Sequence, residues 1–329
     1  MLDIVGKRGW YFLIAALMII PGLISMIIPP GWSTLDSGLK PGIDFTSGSV
    51  LDITFQEPVT QGQVQDRMDA LGYPDALIQS TGSRSVLIRT KTLEEGSGAE
   101  LSERERIQND LEENVAPIES VSFDSISPIV AQETVRNAFI ALAATTVFIL
   151  LYIWYAFRRA QKGYRYGISA ILALLHDILI TLGVFSILGR TIGMEVNATF
   201  IVGLLSVAGY SVNDTIVVFD RIRENVIRQP GRPFDALVNL SIIETLGRSL
   251  NTNFTVLLVL LAMLLIGGAS LRELLLSIFI GVAVGSYSSI FIASQFLVIW
   301  ERGEFGKVLR WGRRAPATAA CTLLHLVGQ

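Results

Sequence analysis

Apolar residues along this chain gather into six long runs, at about residues 10–29, 135–157, 167–188, 197–219, 248–267 and 275–299. Each is close to the roughly 20 residues that carry an α-helix across the ~30 Å hydrocarbon core of a bilayer. Between the first and second runs the period changes. Over 49–56, Leu51, Ile53 and Phe55 alternate with Val50, Asp52 and Thr54, which predicts a β-strand. The stretch 60–71 predicts a helix, with Thr60 as its cap and Val64, Met68 and Leu71 on one stripe. Residues 76–80 and 85–90 predict two strands joined by Thr81-Gly82-Ser83-Arg84, a hairpin signal. A polar linker follows over 93–100. Ser102 and Glu105 then stand at capping-box spacing ahead of a helix over 102–114, and 118–126 alternates again. Strand, helix, strand, strand, helix, strand is the order of the ferredoxin-like split βαβ.

Positive charge orients these elements. Lys7 and Arg8 precede the first run, and Arg158, Arg159, Lys162 and Arg165 fill the loop between the second and third. Arg221, Arg223, Arg228 and Arg232 follow the fourth run, and Arg302, Lys307, Arg310, Arg313 and Arg314 follow the sixth. The opposite loops carry only Arg190 and Arg272. Short loops rich in arginine and lysine stay cytoplasmic. The predicted fold is therefore a polytopic α-helical membrane protein with six transmembrane helices plus one extracytoplasmic ferredoxin-like α+β domain between helices 1 and 2, both termini cytoplasmic. Its segments are 1–30 (N-terminus and first helix), 31–133 (the α+β domain), 134–301 (helices two to six) and 302–329 (a cytoplasmic tail). The first run is longer than the apolar core of a secretory signal and leads into Pro29-Pro30-Gly31-Trp32, so a retained anchor is expected. The apolar-periodic stretch 234–246 predicts a separate interfacial helix.

Composition agrees and excludes several chemistries. Hydrophobic residues make up 51% and charged residues 17%, where a soluble domain carries about 25%. No strongly basic surface for nucleic acid is present. The single cysteine, Cys321, permits no intrachain disulfide, and no metal-ligand spacing exists. His176 and His325 are the only histidines, and a phosphate-binding Walker motif is missing, so zinc chemistry, Ser-His-Asp hydrolysis and ATP-driven work have no support.

The candidate chemistry lies inside the apolar runs. Asp214 falls in the cytoplasmic half of the fourth. A carboxylate in hydrocarbon costs several kcal/mol, so such residues face a bundle interior or a water-filled path and mark ion or substrate routes; the plainer alternative is a hydrogen bond to a neighbouring helix. Ser206 and Asn213 share one face, and Asp214 points about 100° away from Asn213. Arg248, Thr252 and Thr255 share a face at the start of the fifth run, and position alone leaves Arg248 either pairing inward or snorkelling to the headgroups. His176 and Asp177 lie mid-span in the third, as a proton relay or, the favoured reading, a hydrogen-bonded interhelical pair. Asp220 beside Arg221 and Arg223 reads as a solvated ion pair. Ser277, Gly281, Gly285, Ser289 and Ala293 recur every four residues in the sixth run and permit close backbone packing, within the chain or against a partner helix. Pro41 to Gly48, with glycines at both ends, reads as a turn or hinge.

The block Gly209-Tyr210-Ser211-Val212-Asn213-Asp214-Thr215-Ile216-Val217-Val218-Phe219-Asp220-Arg221-Ile222-Arg223-Glu224-Asn225 resembles the fourth transmembrane helix of the SecF branch of the SecD/SecF family, within the RND superfamily. Gly42-Ile43-Asp44-Phe45, His176-Asp177, Gly247-Arg248-Ser249 and Gly267-Gly268 agree in order, and the resemblance runs over about residues 1–305. It implies an accessory subunit of the Sec translocase of the bacterial inner membrane, not an enzyme, which uses the proton-motive force rather than a cofactor to assist late steps of preprotein export. Implied partners are SecD, the SecYEG translocon with its accessory insertase, unfolded preprotein and the lipid bilayer. The family's proton pathway maps onto Asp214 and Arg248, with Asn213, His176, Asp177, Thr252 and Asp220 around it; Asn253 stands where a serine is expected. The turn motif maps onto Gly42, Asp44, Phe45 and Gly48. The family ends this motif with two glycines, and Ser47 replaces the first. Either the turn differs here or Gly48 alone supplies the special geometry, because serine is strained at positive φ. The rival reading, an RND-type half-transporter exporting a lipid or small molecule, calls for a bulky external domain and a second six-helix set, whereas this chain has one small domain and one set, so a partner half is required.

Overall fold

The structure is a computed structural model that describes residues 3–27, 38–93, 101–158, 162–268 and 271–303. The tail beyond 303, with Cys321 and His325, and most of the expected linker lie outside the described residues. The chain divides into two compact units, Ile28–Ala143 with Phe185–Val202, and Met1–Ile27 with Ala144–Val184 and Gly203–Gln329.

In the first of these units the chain enters through β1 (Lys40–Pro41) and a single helical turn, α2 (Ile43–Thr46). There follow β2 (Gly48–Phe55), α3 (Gln61–Ala70), β3 (Leu77–Ser80), β4 (Ser85–Thr90), α4 (Glu103–Asn114) and β5 (Ile118–Ile126). The sheet runs β3-β4-β2-β5 with every neighbouring pair antiparallel. Alternation decides its faces. Leu51, Ile53 and Phe55 of β2 and Val86 and Ile88 of β4 are fully buried, and the two strands pair Leu51 with Ile88 and Ile53 with Val86. Val64 and Met68 of α3 and Ile107 and Leu111 of α4 complete that core. Both helices open with capping boxes, the expected one of Ser102 with Glu105 and one in which the expected cap Thr60 is joined by Gln63. Arg67 Nε donates to Asp110 Oδ2 at 2.9 Å, and a second bond between the same side chains makes the link between α3 and α4 bidentate.

Among the described residues six helices are long and apolar enough to span a bilayer, as a polytopic membrane protein requires: Val5–Ile27, Pro128–Ala156, Tyr164–Ile192, Ala198–Arg228, Phe234–Ile266 and Arg272–Glu301. In chain order they contain α1 (Arg8–Ile27), α5 (Pro128–Ala156), α6 (Tyr164–Ile192), α7 (Ala198–Arg228) and α8 (Phe234–Ile266). The sixth joins α9 (Arg272–Ser288), a π-helical turn at Ser289–Ala293, and α10 (Ser294–Glu301). A two-residue strand, β6 (Glu195–Val196), sits between α6 and α7.

In the membrane unit, α1 approaches α6 at a pair of glycines: a Cβ on Gly22 would lie 2.5 Å from Gly183 Cα. The four-residue stripe of the sixth span is wholly buried, from Ser277 to Ala293, and packs on α7 of this same chain, with Gly281 against Val207 and Gly285 against Ser211. The expected interfacial helix over 234–246 is not separate. It is continuous with the fifth span in one helix of 33 residues. No proline or cap interrupts it, and Gly247 costs only about 1 kcal/mol inside a helix. Its buried Val238 and Ile242 join the same core as Val218, Phe219 and Ile222 of α7. The fourth span likewise continues past Phe219 to Arg228, where Arg223–Asp220 (2.6 Å), Arg221–Glu224 (2.5 Å) and Arg228–Glu224 (2.7 Å) form a ladder of ion pairs.

Candidate functional site

Helical spacing turns the polar residues of three spans toward one another. Asp177, fully buried on α6, is the hub. Its Oδ2 accepts from Ser211 Oγ of α7 at 2.6 Å and from Ser288 Oγ of α9 at 2.7 Å, and its Oδ1 lies 2.9 Å from His176 Nδ1. The seam continues along α7. Thr215 Oγ1 donates to the Ser211 carbonyl at 2.9 Å and lies 3.2 Å from Ser289 Oγ. Ser289 also bonds the Gly285 carbonyl at 2.8 Å and the Ser211 carbonyl at 3.3 Å.

Asp214 occupies the next position of this seam and is 8% exposed. Its Oδ2 accepts from Asn253 Nδ2 of α8 at 3.3 Å. Ser289 and Ser249 lie near the same carboxylate, and the buried Ser249 hydroxyl meets no hydrogen-bond partner among the described residues. The departure at Asn253, where a serine was expected, thus places a side-chain amide on the carboxylate.

Arg248 does not complete an ion pair with Asp214. It is exposed and lines a separate cavity of about 280 Å³ with Asp220, Arg221, Glu224, Glu244 and Thr245. The acids around that cavity have other partners: Asp220 pairs with Arg223, and Glu244 accepts from Arg221 Nε at 2.7 Å and Asn225 Nδ2 at 2.8 Å. Thr252 is exposed and turns its hydroxyl back to the Arg248 carbonyl at 2.9 Å. Asn213 is exposed too, beside Gly209 and Tyr210 on one face of α7. His176 is buried, its ring 6.4 Å from that of Tyr287, and its Nε2 meets no hydrogen-bond partner among the described residues.

The turn motif lies at the far end of α7. The Gly42 amide donates to the Val196 carbonyl at 2.7 Å. Asp44 Oδ2 accepts from the Ala198 amide, also at 2.7 Å. Phe45 borders an apolar cavity of about 310 Å³ with Leu39, Pro41, Phe139 and Val196. Ser47 adopts φ 63° and ψ 171°, and Gly48 follows at φ 123°. Gly48 therefore does not supply the special geometry alone: Ser47 itself holds a conformation that is close to glycine-only.

Ser288, and the part played by Ser211 and Ser289, were not legible as site features. Serines in membrane helices most often bond their own preceding turn. The signal that singles out Ser211 is that it stands three residues before Asp214 on α7, on the same helix face.

Comparison with known proteins places this geometry in a family. The profile of protein export membrane protein SecD/SecF, C-terminal, matches residues 106–303, and that of the SecD/SecF GG motif matches 32–59. The protein translocase subunit SecF of Thermobaculum terrenum is 39% identical over 97% of this chain and 100% of its own length. That of Anaerolinea thermophila is 39% identical over the same shares. Among solved structures, SecDF, a translocon-associated membrane protein from a Thermus species, matches 92% of this chain at 31% identity with a TM-score of 0.73. SecDF in its super-membrane-facing form matches 95% at 29% identity with a TM-score of 0.59. The chain spans 39% and 40% of those two structures. With relatives matched end to end, the chain belongs to the SecD/SecF family of protein-export membrane proteins, as a translocase subunit of the SecF type.

Proposed function

We propose that this subunit couples proton entry to late steps of preprotein export, working with a SecD partner beside the SecYEG translocon and its accessory insertase. The observation that carries this reading is Asp214: a carboxylate buried within a span, hydrogen-bonded by the neutral amide of Asn253, with no ion pair to a guanidinium among the described residues. A group so placed changes its helix contacts when it gains or loses a proton. One charge moved through 100 mV is worth about 2.3 kcal/mol, enough to bias two helix arrangements of similar energy.

Arg248 then acts from outside this chain's own core. Arg248, Thr252 and Asn213 are exposed, and an asparagine within a span has no place against lipid. The SecD partner covers that face and shares the proton route. Asp177, with His176 beside it on the same helix, holds the seam in place by its bonds to Ser211 and Ser288 of the neighbouring spans.

The sheet order β3-β4-β2-β5 supports a ferredoxin-like domain over 31–133. Arginine asymmetry across the short loops supports its extracytoplasmic side, where it contacts the unfolded preprotein, with both termini and the 302–329 tail in the cytoplasm.

The test is Asp214→Asn, which keeps the size and removes the titratable proton. Vesicles carrying it with SecD and SecYEG are expected to lose gradient-stimulated export while insertion and SecD association persist. Export at the wild-type rate would leave Asp214 a structural helix link.

A further inference from the structure

We infer that Asp44 is a positioning residue that couples the α/β fold to α7, the helix on which Asp214 lies; the functional part of this inference rests on the proton-coupled reading above. The first turn of α7 is capped twice. Asn197, just ahead of it, accepts from the Phe200 amide at 2.9 Å and from Thr199 Oγ1 at 2.7 Å, which is an ordinary local cap. Asp44 caps the same turn from 154 positions away, through the Ala198 amide. A helix with its own cap does not need a second one to start. The distant carboxylate adds a tie, strengthened by the partial positive charge of the helix N-terminus.

Three further contacts fix the same junction. β1 pairs in parallel with β6, Lys40 with Glu195 and Pro41 with Val196. The Gly42 amide bonds the Val196 carbonyl. Arg89 of β4 forms an ion pair with Glu195, and both side chains are largely buried. Arg89 stands opposite Val50 in the sheet register, and Asp44 lies just ahead of β2. The lead-in to α7 is thus held to two adjacent strands of one sheet.

The link has little slack. Only Phe45, Thr46 and Ser47 separate Asp44 from β2, and Ser47 and Gly48 both sit at positive φ. Strained backbone persists where the surroundings over-determine it. A shift of α7 along its axis therefore pulls directly on the central strand of the domain. Asp214 lies about 24 Å further along the same unbroken helix at 1.5 Å per residue.

The experiment uses the full chain reconstituted with its SecD partner and SecYEG in proteoliposomes, reading proton uptake with a pH-sensitive dye and translocation of a preprotein in parallel. Asp44→Ala is expected to keep proton uptake and lose gradient-stimulated translocation by about tenfold, whereas Asp44→Asn, which retains a capping oxygen, restores most of it. Amide hydrogen exchange at Ala198 should quicken about tenfold in Asp44→Ala alone. Arg89→Glu should impair translocation, and adding Glu195→Arg should recover it. The inference is overturned if Asp44→Ala translocates normally, if uptake and translocation fall together, or if exchange at Ala198 does not change. Failure of the proton reading looks different. In that case Asp214→Asn translocates normally, while the exchange and charge-swap measurements still decide whether Asp44 holds α7.

Discussion

Ser211 Oγ donates a 2.6 Å hydrogen bond to Asp177 Oδ2, joining α6 to α7 less than one turn before Asp214. Ser288 donates to the same oxygen, so one carboxylate ties three spans together. Removing it leaves two buried hydroxyls and an imidazole without their acceptor. Asp177→Ala is expected to destabilise the protein by about 3 kcal/mol, and Ser211→Ala by about 1–2 kcal/mol. Thermal unfolding in detergent checks both. Equal midpoints for Asp177→Ala and wild type would mean that the seam contributes no stability.

Ser47 makes the opposite prediction. Its φ of 63° with ψ of 171° costs of order 1–3 kcal/mol, and glycine adopts that conformation freely, offset by its larger unfolded-state entropy. Ser47→Gly is expected to stabilise the protein by about 1 kcal/mol, read as a rise in the unfolding midpoint. A fall would show that serine is at ease in this turn.

Residues 36–130 expressed alone are expected to fold as a monomer with mixed helix and sheet, since Leu51, Ile53, Met68, Ile88 and Leu111 form a core without help from the membrane spans. A collapsed amide NMR spectrum would contradict this. The same fragment has a built-in acid sensitivity. The hydrogen bonds and charge of Arg67 hold Asp110 below the ordinary carboxylate range. A depressed folded-state pKa means that the stabilisation is complete above about pH 4 and fades as pH falls through the Asp110 value. Asp110→Asn should therefore lower the urea midpoint at pH 7 and flatten its dependence on pH below 4. An unchanged slope in the variant would assign the acid sensitivity to other groups.

Topology is open to a direct check. With Cys321 replaced by serine, an impermeant thiol reagent applied from outside is expected to label Ser83→Cys in the β3–β4 turn and to miss Gly231→Cys in the turn between α7 and α8. The reverse pattern would invert the protein in the membrane.

Much of this architecture was legible along the chain because its signals are local. Thr60 and Gln63, or Ser102 and Glu105, announce a helix start within four residues, and Leu51-Asp52-Ile53 announces a strand face within three. The continuity of α8 was hidden because Arg248, Asn251 and Asn253 break its apolar run, while helix formation itself does not depend on hydropathy. The link between Asp177 and Ser211 was hidden for a different reason. Side-chain spacing tells which residues share a helix face, not which face of the next helix they meet. Arg248 was assigned to Asp214 by resemblance, and its exposure reflects a turn of α8 that buries Ser249, its neighbour, and brings Asn253 to the carboxylate instead.

The π turn at Ser289–Ala293 means that the sixth span stores one residue more than an α-helix of the same rise. That surplus offsets the phase of everything beyond it by about 100°. Ser288 meets Asp177 and Ser289 meets Ser211 and Thr215 ahead of the offset, and beyond it Ser294, Gln295 and Leu297 are buried. Deleting one residue of the turn would leave the length and hydropathy of the span almost untouched. It would rotate its C-terminal end out of phase with α7, so the span tolerates substitutions here far better than it tolerates a change of count.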